Sequence, residues 1–143
     1  MRIIGIDLGE KRIGVAMSDE LGIIAQPLTT IQRGSFPDDC AALDALVKQY
    51  AVERIVMGLP LHMSGESGDS SNKSLKYGKK LEGCLGIPVV FWDERLTTVA
   101  AERSLLECDM RRGRRKTVID MVAASLILDG YLRGEQLRQG SEK

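Results

Sequence analysis

The sequence predicts an α/β fold in which helices cover the faces of one mixed β-sheet. Three strand patterns joined by short turns come first, and helix and strand patterns then alternate. Short turns make neighbouring strands antiparallel, whereas a helix between two strands allows them to be parallel. At 143 residues the chain has the length of one domain, which argues against an enzyme that binds its substrate between two lobes. We expect one domain over residues 1–134 and a frayed polar C-terminal tail over 135–143.

The first three strands are predicted as a meander. Residues 2–8 form a nearly continuous apolar run, which is typical of a strand buried on both faces. Residues 12–18 alternate between apolar and small side chains, so one face of this strand leaves room for a helix or a ligand to approach. A short turn over 9–11 and a second over 18–22 lead into a third strand at about 22–31.

The remaining elements are predicted to alternate between helix and strand. Apolar side chains at helical spacing predict the helices, and short apolar runs predict the strands. In chain order, the prediction is a helix over 37–50, a strand over 54–59, a flexible polar loop over 62–72, a helix over 74–85, a strand over 88–92, and helices over 97–108 and 117–133. The predicted order of elements is therefore βββαβαβαα.

The composition argues against two simple classes of nucleic-acid or membrane binder. The 20 Lys and Arg residues balance the 20 Asp and Glu residues, so any site for a polyanion must be local. One Trp, three Tyr and two Phe are too few for the aromatic platforms on which many single-strand binders stack bases.

Cysteine and histidine contents argue against several kinds of site. Cys40, Cys84 and Cys108 form neither a Cys-x-x-Cys pair nor an even-numbered framework, so we expect buried, reduced thiols. The single histidine, His62, lies in a polar loop and is assigned no role. One histidine argues against a zinc site with several histidine ligands and against a Ser-His-Asp catalytic triad. The sequence shows neither a signal-peptide pattern nor an apolar run near the ~18 residues of a membrane span, and we expect a cytoplasmic protein.

Asp7 is the first of three acidic positions that suggest a site. It shares a strand face with Ile3 and Gly5 in the most apolar strand. A buried carboxylate is costly unless it is hydrogen-bonded, paired or bound to a metal. The alternative is an aspartate that opens the turn and accepts a hydrogen bond from the amide of Gly9 or Glu10.

Two further acidic positions could join Asp7. Asp93 and Glu94 end a strand, where sites gather in α/β sheets, although Glu94 could instead form a salt bridge with Arg95 or a nearby lysine. Asp120 is predicted near the start of the last helix, where Thr117 and Asp120 also fit a capping box. Carboxylates from a central strand, a neighbouring strand end and a covering helix can converge on one or two divalent cations. Two such cations ~4 Å apart can activate a water and stabilise the leaving oxygen of a phosphoryl displacement.

A basic segment precedes the last predicted helix. Its five cations fall within six residues: Arg111, Arg112, Arg114, Arg115 and Lys116. The planar guanidinium group suits phosphate, so we expect this segment to bind a phosphate backbone, whereas the alternative is a solvated charged surface. Lys11, Arg12 and the lysines of the helix over 74–85 could extend this surface.

Four segments match motifs of a known family in the family's order. They are GIDLGEKRIGVA at 5–16, IVMGLPL at 55–61, WDERLTT at 92–98 and VIDMVAASLILDGYL at 118–132. Together they span nearly the whole chain, and the sequence resembles the RuvX/YqgF family of Holliday-junction resolvases in the RNase H-like superfamily. The resemblance implies an RNase H-like, five-stranded sheet of order 3-2-1-4-5, with strand 2 antiparallel and helices on both faces.

The resemblance also implies an activity, metal-dependent hydrolysis of nucleic-acid phosphodiester bonds by an endonuclease. The implied substrates are branched DNA, as in a Holliday junction, or precursor rRNA, cut at the 5′ end of 16S rRNA. The implied cofactor is Mg²⁺ or Mn²⁺, as two ions. The family's acids fall on Asp7, Glu94 and Asp120, with Asp93 as a less certain metal ligand, and its basic segment falls on 111–116. A homodimer is compatible with the resemblance.

One loop departs from the family pattern, and two other function classes stay open. After Gly-Leu-Pro-Leu the family usually reads Asn-Met-Asp-Gly, whereas this chain reads His-Met-Ser-Gly at 62–65, which bears on substrate contacts of that loop and not on the acids. Asp-x-Gly after a first strand also opens ATPases of the actin and sugar-kinase type, but 143 residues leave no room for their second lobe. The other class is a non-catalytic nucleic-acid-binding or regulatory module, against which the presence of all three acids argues.

Overall fold

The computed structural model describes residues 1–60, 68–94 and 112–141, which form one five-stranded sheet between two helical layers. The strands are β1 (Arg2–Leu8), β2 (Arg12–Ser18), β3 (Ala25–Gln32), β4 (Val52–Leu59) and β5 (Val89–Asp93). The helices are α1 (Phe36–Tyr50), α2 (Asp69–Leu85) and α3 (Arg112–Ser141).

The sheet has the strand order β3-β2-β1-β4-β5. Strand β2 is antiparallel to both of its neighbours, whereas β1, β4 and β5 are parallel to one another. The predicted strand order and the antiparallel second strand are therefore confirmed. Because β3 also runs parallel to β1, the strands β1, β3, β4 and β5 all end at the same side of the sheet, which we call the carboxyl edge.

The central strand β1 contributes to both hydrophobic cores. Ile4 and Ile6 are fully buried in the core that the sheet forms with α1 and α2. Ile3 belongs to the second core, together with Ala124 and Leu128 of α3. The alternation of β1 side chains therefore assigns Ile3 and the following odd-numbered positions to the α3 face of the sheet.

Helix α3 lies unusually close to the sheet because small residues face it. A Cβ atom at Gly5 would lie 2.7 Å from the Cβ atom of Leu128, and one at Gly14 would overlap the main-chain carbonyl group of Asp120. The small side chains of β2 predicted room for a helix or a ligand, and the helix occupies it.

Two predicted segments differ from the structure. Helix α2 begins at Asp69, so the last part of the predicted loop over 62–72 is helical. Helix α3 begins at Arg112 and ends at Ser141, so it includes four of the five predicted basic residues and most of the predicted polar tail over 135–143. Arg, Lys, Glu, Gln and Leu are good helix formers, which favours extension at both ends. The predicted helix over 97–108 lies outside the described residues.

Helix α3 has 30 residues, but its composition does not suit a lipid bilayer. Charged and polar side chains interrupt its apolar positions along its length. Neither α3 nor the other helices described above has an apolar stretch long enough to cross a membrane.

Two of the three cysteines form a disulfide. Cys40 of α1 is bonded to Cys84 of α2, so the prediction of reduced thiols is wrong for this pair. Their Cα atoms lie 6.7 Å apart, although 44 residues separate them in the sequence. Spacing alone could not predict the pair, because it depends on the packing of α1 beside α2. Cys84 is exposed rather than buried, and Cys108 lies outside the described residues.

Replacing Gly14 with Ala will destabilise the protein, because the added methyl group meets the backbone of α3. Overpacking of this kind costs ~1–3 kcal/mol. Gly83→Ala is the matched control, since nothing lies within 4 Å of a Cβ atom at this helical position. Ala favours a helix over Gly by about 1 kcal/mol, so the control should raise stability. Urea denaturation measures both free energies of unfolding, and equal changes in the two variants would contradict the close helix–sheet contact.

Candidate functional site

A cavity at the carboxyl edge brings two of the predicted acids together. Its volume is about 260 Å³, and Asp7 and Glu94 both line it. Asp7 comes from the end of the central strand β1, and Glu94 directly follows β5. Other lining residues include Gly9, Arg33, Lys73 and Ser74. Parallel strands carry both acids to this edge, as the prediction required.

Asp7 is a buried carboxylate on the central strand. It is 9 % exposed and pairs with Gly14 across the β1–β2 ladder. Its odd-numbered position assigns it to the α3 face, where Gly5 also contacts that helix. The turn that follows is closed by a hydrogen bond from the Gly9 amide to the Arg12 carbonyl oxygen, 2.9 Å long.

Glu94 lies over Gly58 of β4. A Cβ atom at Gly58 would lie 3.1 Å from Oε1 of Glu94, so the missing side chain makes room for this carboxylate. Gly58 follows Met57, which pairs with Ile6, and is therefore next to Asp7 in the neighbouring strand. Glu94, above β4, and Asp7, on β1, thus lie on the α3 face of two neighbouring strands.

Asp93 is less favourably positioned than Glu94. It is the last residue of β5 and follows Trp92, whose ring packs on Tyr131 of α3. Alternation along the strand assigns Asp93 to the opposite face from Trp92, and so away from the α3 face. Its use as a metal ligand stays a prediction.

Asp120 lies beside the same region but has an ionic partner. Its main chain covers Gly14, the residue opposite Asp7. Its Oδ2 atom accepts a hydrogen bond of 2.9 Å from Nε of Arg12. Because α3 begins at Arg112, Asp120 lies beyond the first turn, and the capping interpretation with Thr117 is wrong.

The acids supply part of a metal site. Carboxylate oxygens are the ligands that Mg²⁺ and Mn²⁺ prefer, and Asp7 and Glu94 offer them in one cavity. In the part of the chain that the structure describes, no group of three His, Cys, Asp or Glu side chains is close enough to hold an ion. Asp120 would complete a three-carboxylate set by exchanging Arg12 for the ion. The donors therefore suit a hard divalent cation, with Asp120 engaged elsewhere in this structure.

The predicted basic residues flank this edge on the α3 side. Lys11 is exposed in the turn between β1 and β2, and Arg12 begins β2. Residues 112–116 form the start of α3, four to eight positions before Asp120, which is ~6–12 Å along a helix axis. Since Ala124 and Leu128 pack deeper under the sheet, the start of α3 extends past the carboxyl edge. Arg111 lies outside the described residues, as does His62.

Arg33 is a site residue that was not predicted from the sequence. This residue directly follows β3, so it lies at the carboxyl edge, and its Nη1 atom donates a 2.6 Å hydrogen bond to the carbonyl oxygen of Gly9. The signal was available, because a strand parallel to β1 must end near Asp7. Lys73, one of the lysines of α2 that were expected to be able to extend the basic surface, lines the same cavity.

Arg33 is held by a buried polar cluster. Its guanidinium carbon lies 5.2 Å from the centre of the Tyr77 ring, and its Nε atom is 4.0 Å from Oδ2 of Asp39. Asp39 is 2 % exposed and accepts hydrogen bonds from the Tyr77 hydroxyl group and the Gly34 amide, both 2.9 Å long. Burial raises the pKa of Tyr77, and the hydrogen bond and charge of Asp39 raise it further.

Comparison with known proteins identifies the family. Residues 1–134 match the family model described as RuvX, Holliday junction resolvase.

The chain belongs to the RuvX family.

Close relatives of this RuvX chain have nearly the same length. A protein named pre-16S rRNA nuclease from Caldanaerobacter subterraneus subsp. tengcongensis is 53% identical over 137 residues, which cover 95% of this chain and 99% of the relative. A protein of the same name from Moorella thermoacetica is 54% identical over 132 residues, covering 92% and 94%. The predicted family resemblance is confirmed, and the chain is a member of a nuclease family.

Solved structures share the fold at low sequence identity. RuvC of Thermus thermophilus, in a complex with a Holliday junction substrate, is 13% identical with a TM-score of 0.60, and the match covers 95% of this chain and 96% of that one. The fowlpox virus Holliday junction resolvase is 13% identical with a TM-score of 0.53, covering 94% and 99%. The RNase H-like architecture predicted from the sequence is therefore confirmed.

The raised pKa of Tyr77 predicts a stability loss at alkaline pH. Below pH ~10 Tyr77 is protonated in both states, and its contribution to stability is complete. Above that pH the unfolded chain loses the proton while the folded protein keeps it. The free energy of unfolding should then fall by up to about 1.4 kcal/mol per pH unit until the folded group also ionises. Urea unfolding between pH 8 and 11 should show a shallower decline for Tyr77→Phe, and parallel profiles would contradict the buried Tyr77–Asp39 pair.

Proposed function

We propose that this RuvX-family protein is an endonuclease that hydrolyses nucleic-acid phosphodiester bonds at the cavity of Asp7 and Glu94. The observation that carries the proposal is the meeting of these two carboxylates at the carboxyl edge, beside a helix that brings in Asp120. Residues 1–134 are proposed to act as one nuclease domain. The chain's predicted homodimer and cytoplasmic localisation stay predictions.

Each acid is proposed to have a distinct task. Asp7, on the central strand β1, would hold the cation next to the bond that is cut, and Glu94 would hold it from the side of β5. Asp120 would join them after releasing Arg12, and Asp93 is a less certain additional ligand. Mg²⁺ or Mn²⁺, as one or two ions, would supply Lewis-acid activation of water and stabilisation of the leaving oxygen.

Precursor 16S rRNA is the substrate we favour, because relatives that share more than half of their residues with this chain carry that name. A four-way DNA junction is the second candidate, since the family is described as a Holliday junction resolvase. A panel of pre-16S rRNA fragments, junctions, duplexes and single strands, cut under identical conditions, separates the two. Binding without cleavage on the whole panel would support a non-catalytic module instead.

Asp7→Asn should abolish cleavage while the fold survives, because the change removes a charge and keeps the shape. Loss of several kcal/mol of transition-state stabilisation corresponds to a fall of roughly a thousandfold. Asp44→Asn is the matched control, since Asp44 pairs with Lys48 on the surface of α1. Full activity in a folded Asp7→Asn protein would contradict the proposal.

Glu94→Gln and Asp120→Asn should each weaken Mg²⁺ binding as measured by calorimetry, and cleavage should stop in excess chelator and return with Mg²⁺ or Mn²⁺.

The basic start of α3 should supply affinity without base specificity. Replacing Arg114 and Arg115 with Gln should weaken binding about equally across sequences. It should also reduce the slope of log K against log salt by roughly 0.7–0.9 for each lost phosphate contact. Cleavage at saturating substrate should change much less. An unchanged salt slope would mean that this segment is only a solvated surface.

A further inference from the structure

The cavity that holds the acids also contains two cations on the side away from α3. Arg33 comes from the end of β3 and Lys73 from α2, and both line the cavity with Asp7 and Glu94. They are separate from the basic residues at the start of α3, which approach the edge on the opposite face.

We propose that Arg33 and Lys73 form a subsite for a second phosphate of the substrate backbone, next to the phosphate that is cut. The inference rests on the proposed nuclease function, which it deepens by adding a place where the strand is held in register. Its ligand is a phosphodiester group rather than a base or a free nucleotide.

The fixed position of Arg33 is the first argument. Nη1 is anchored on the Gly9 carbonyl oxygen, and the guanidinium group lies over the Tyr77 ring. Asp39 lies 4.0 Å from Nε and accepts a hydrogen bond from Tyr77, so Asp39 and Tyr77 together form a buried support for the guanidinium group. The Arg33 side chain is nevertheless 30 % exposed and faces the cavity. A guanidinium group with its torsions already fixed loses little entropy when it binds phosphate.

The charge of the cavity is the second argument. Asp7, Glu10 and Glu94 line it, and these carboxylates repel a polyanion. A substrate phosphate can therefore approach only where positive charge offsets them. Arg33 and Lys73 provide that charge from the protein itself, on the α2 side of the same opening.

Size and lining favour a backbone phosphate over other ligands. About 260 Å³ is less than the ~300–1,000 Å³ of a typical small-molecule pocket, which suits a strand segment that passes through. The described residues that line the cavity include no aromatic ring on which a base could stack. Arg and Lys contacts to phosphate carry no sequence information, so the subsite would set position and not sequence.

The test compares Arg33→Gln and Lys73→Gln with Lys48→Gln, which removes the same charge from an exposed site at the last turn of α1. Binding is measured by fluorescence with an intact labelled pre-16S rRNA fragment and a labelled four-way DNA junction, using Asp7→Asn as the common parent. Each cavity variant should bind about ten- to a hundredfold more weakly, as expected for a charged hydrogen bond. Its salt slope should fall by roughly 0.7–0.9, while Lys48→Gln stays within about twofold.

A modified substrate locates the contact. A neutral methylphosphonate placed one phosphate from the cut site should weaken cleavage by the protein with Arg33 intact. The same modification should reduce cleavage by the Arg33→Gln variant much less, because this variant already lacks the contact with that phosphate. Equal losses in both proteins would overturn the assignment to that phosphate.

The outcomes separate the two proposals. Thermal unfolding establishes that each variant folds, and if Arg33→Gln does not fold, Lys73→Gln on the exposed face of α2 decides. If Arg33→Gln and Lys73→Gln bind the probes as tightly as Lys48→Gln does, the subsite is overturned. If cleavage still depends on Asp7, the nuclease proposal stands. No binding and no Asp7-dependent cleavage of either probe would overturn both.

Discussion

The contact between α3 and the glycine-lined face of the sheet sets the geometry of the whole site. Because Gly14 has no side chain, the backbone of Asp120 can rest on β2 directly opposite Asp7. Because Gly58 has none, the Glu94 carboxylate can lie over β4 beside Asp7. Larger residues at either position would lift the helix or displace the acid. The positions of Asp120 and Glu94 around Asp7 thus depend on glycines in the sheet, which have no side chain.

Electrostatics explains why these acids need neighbours of opposite charge. Clustered carboxylates in a partly buried cavity destabilise one another and repel nucleic acid. The chain, which has no net charge, compensates locally. Arg12 pairs with Asp120 at 2.9 Å, and Arg33 is held beside the cavity by the buried Asp39. Under the proposed function, binding of a polyanion depends on the charges at this edge and not on the overall charge of the chain.

The fold and two of the site acids could be predicted because they follow from local patterns. The apolar run of β1 and the short turn after it specify a central strand with an antiparallel neighbour, and strand ends at one edge bring Asp7 and Glu94 together. The Cys40–Cys84 bond and the fixed orientation of Arg33 depend on packing between α1, α2 and β3, which no short window of sequence contains. The capping interpretation of Asp120 failed for a related reason. The helix continues toward its N-terminus through Arg114, Arg115 and Lys116, whose propensity is favourable, so a plausible cap fell inside the helix.

Two kinds of cation at the edge suggest a division of labour between affinity and register. The basic residues at the start of α3 lie on a helix that extends past the sheet, and a charge placed this way attracts phosphates over a range set by salt screening. At Arg33 a carbonyl oxygen, an aromatic ring and a buried carboxylate also fix the orientation of the charge. Charge attraction alone stabilises any nearby phosphate, whereas an oriented guanidinium group favours one position of the strand. Cleavage at a defined bond needs the second property, since a shift of one nucleotide would bring a different phosphate to Asp7 and Glu94.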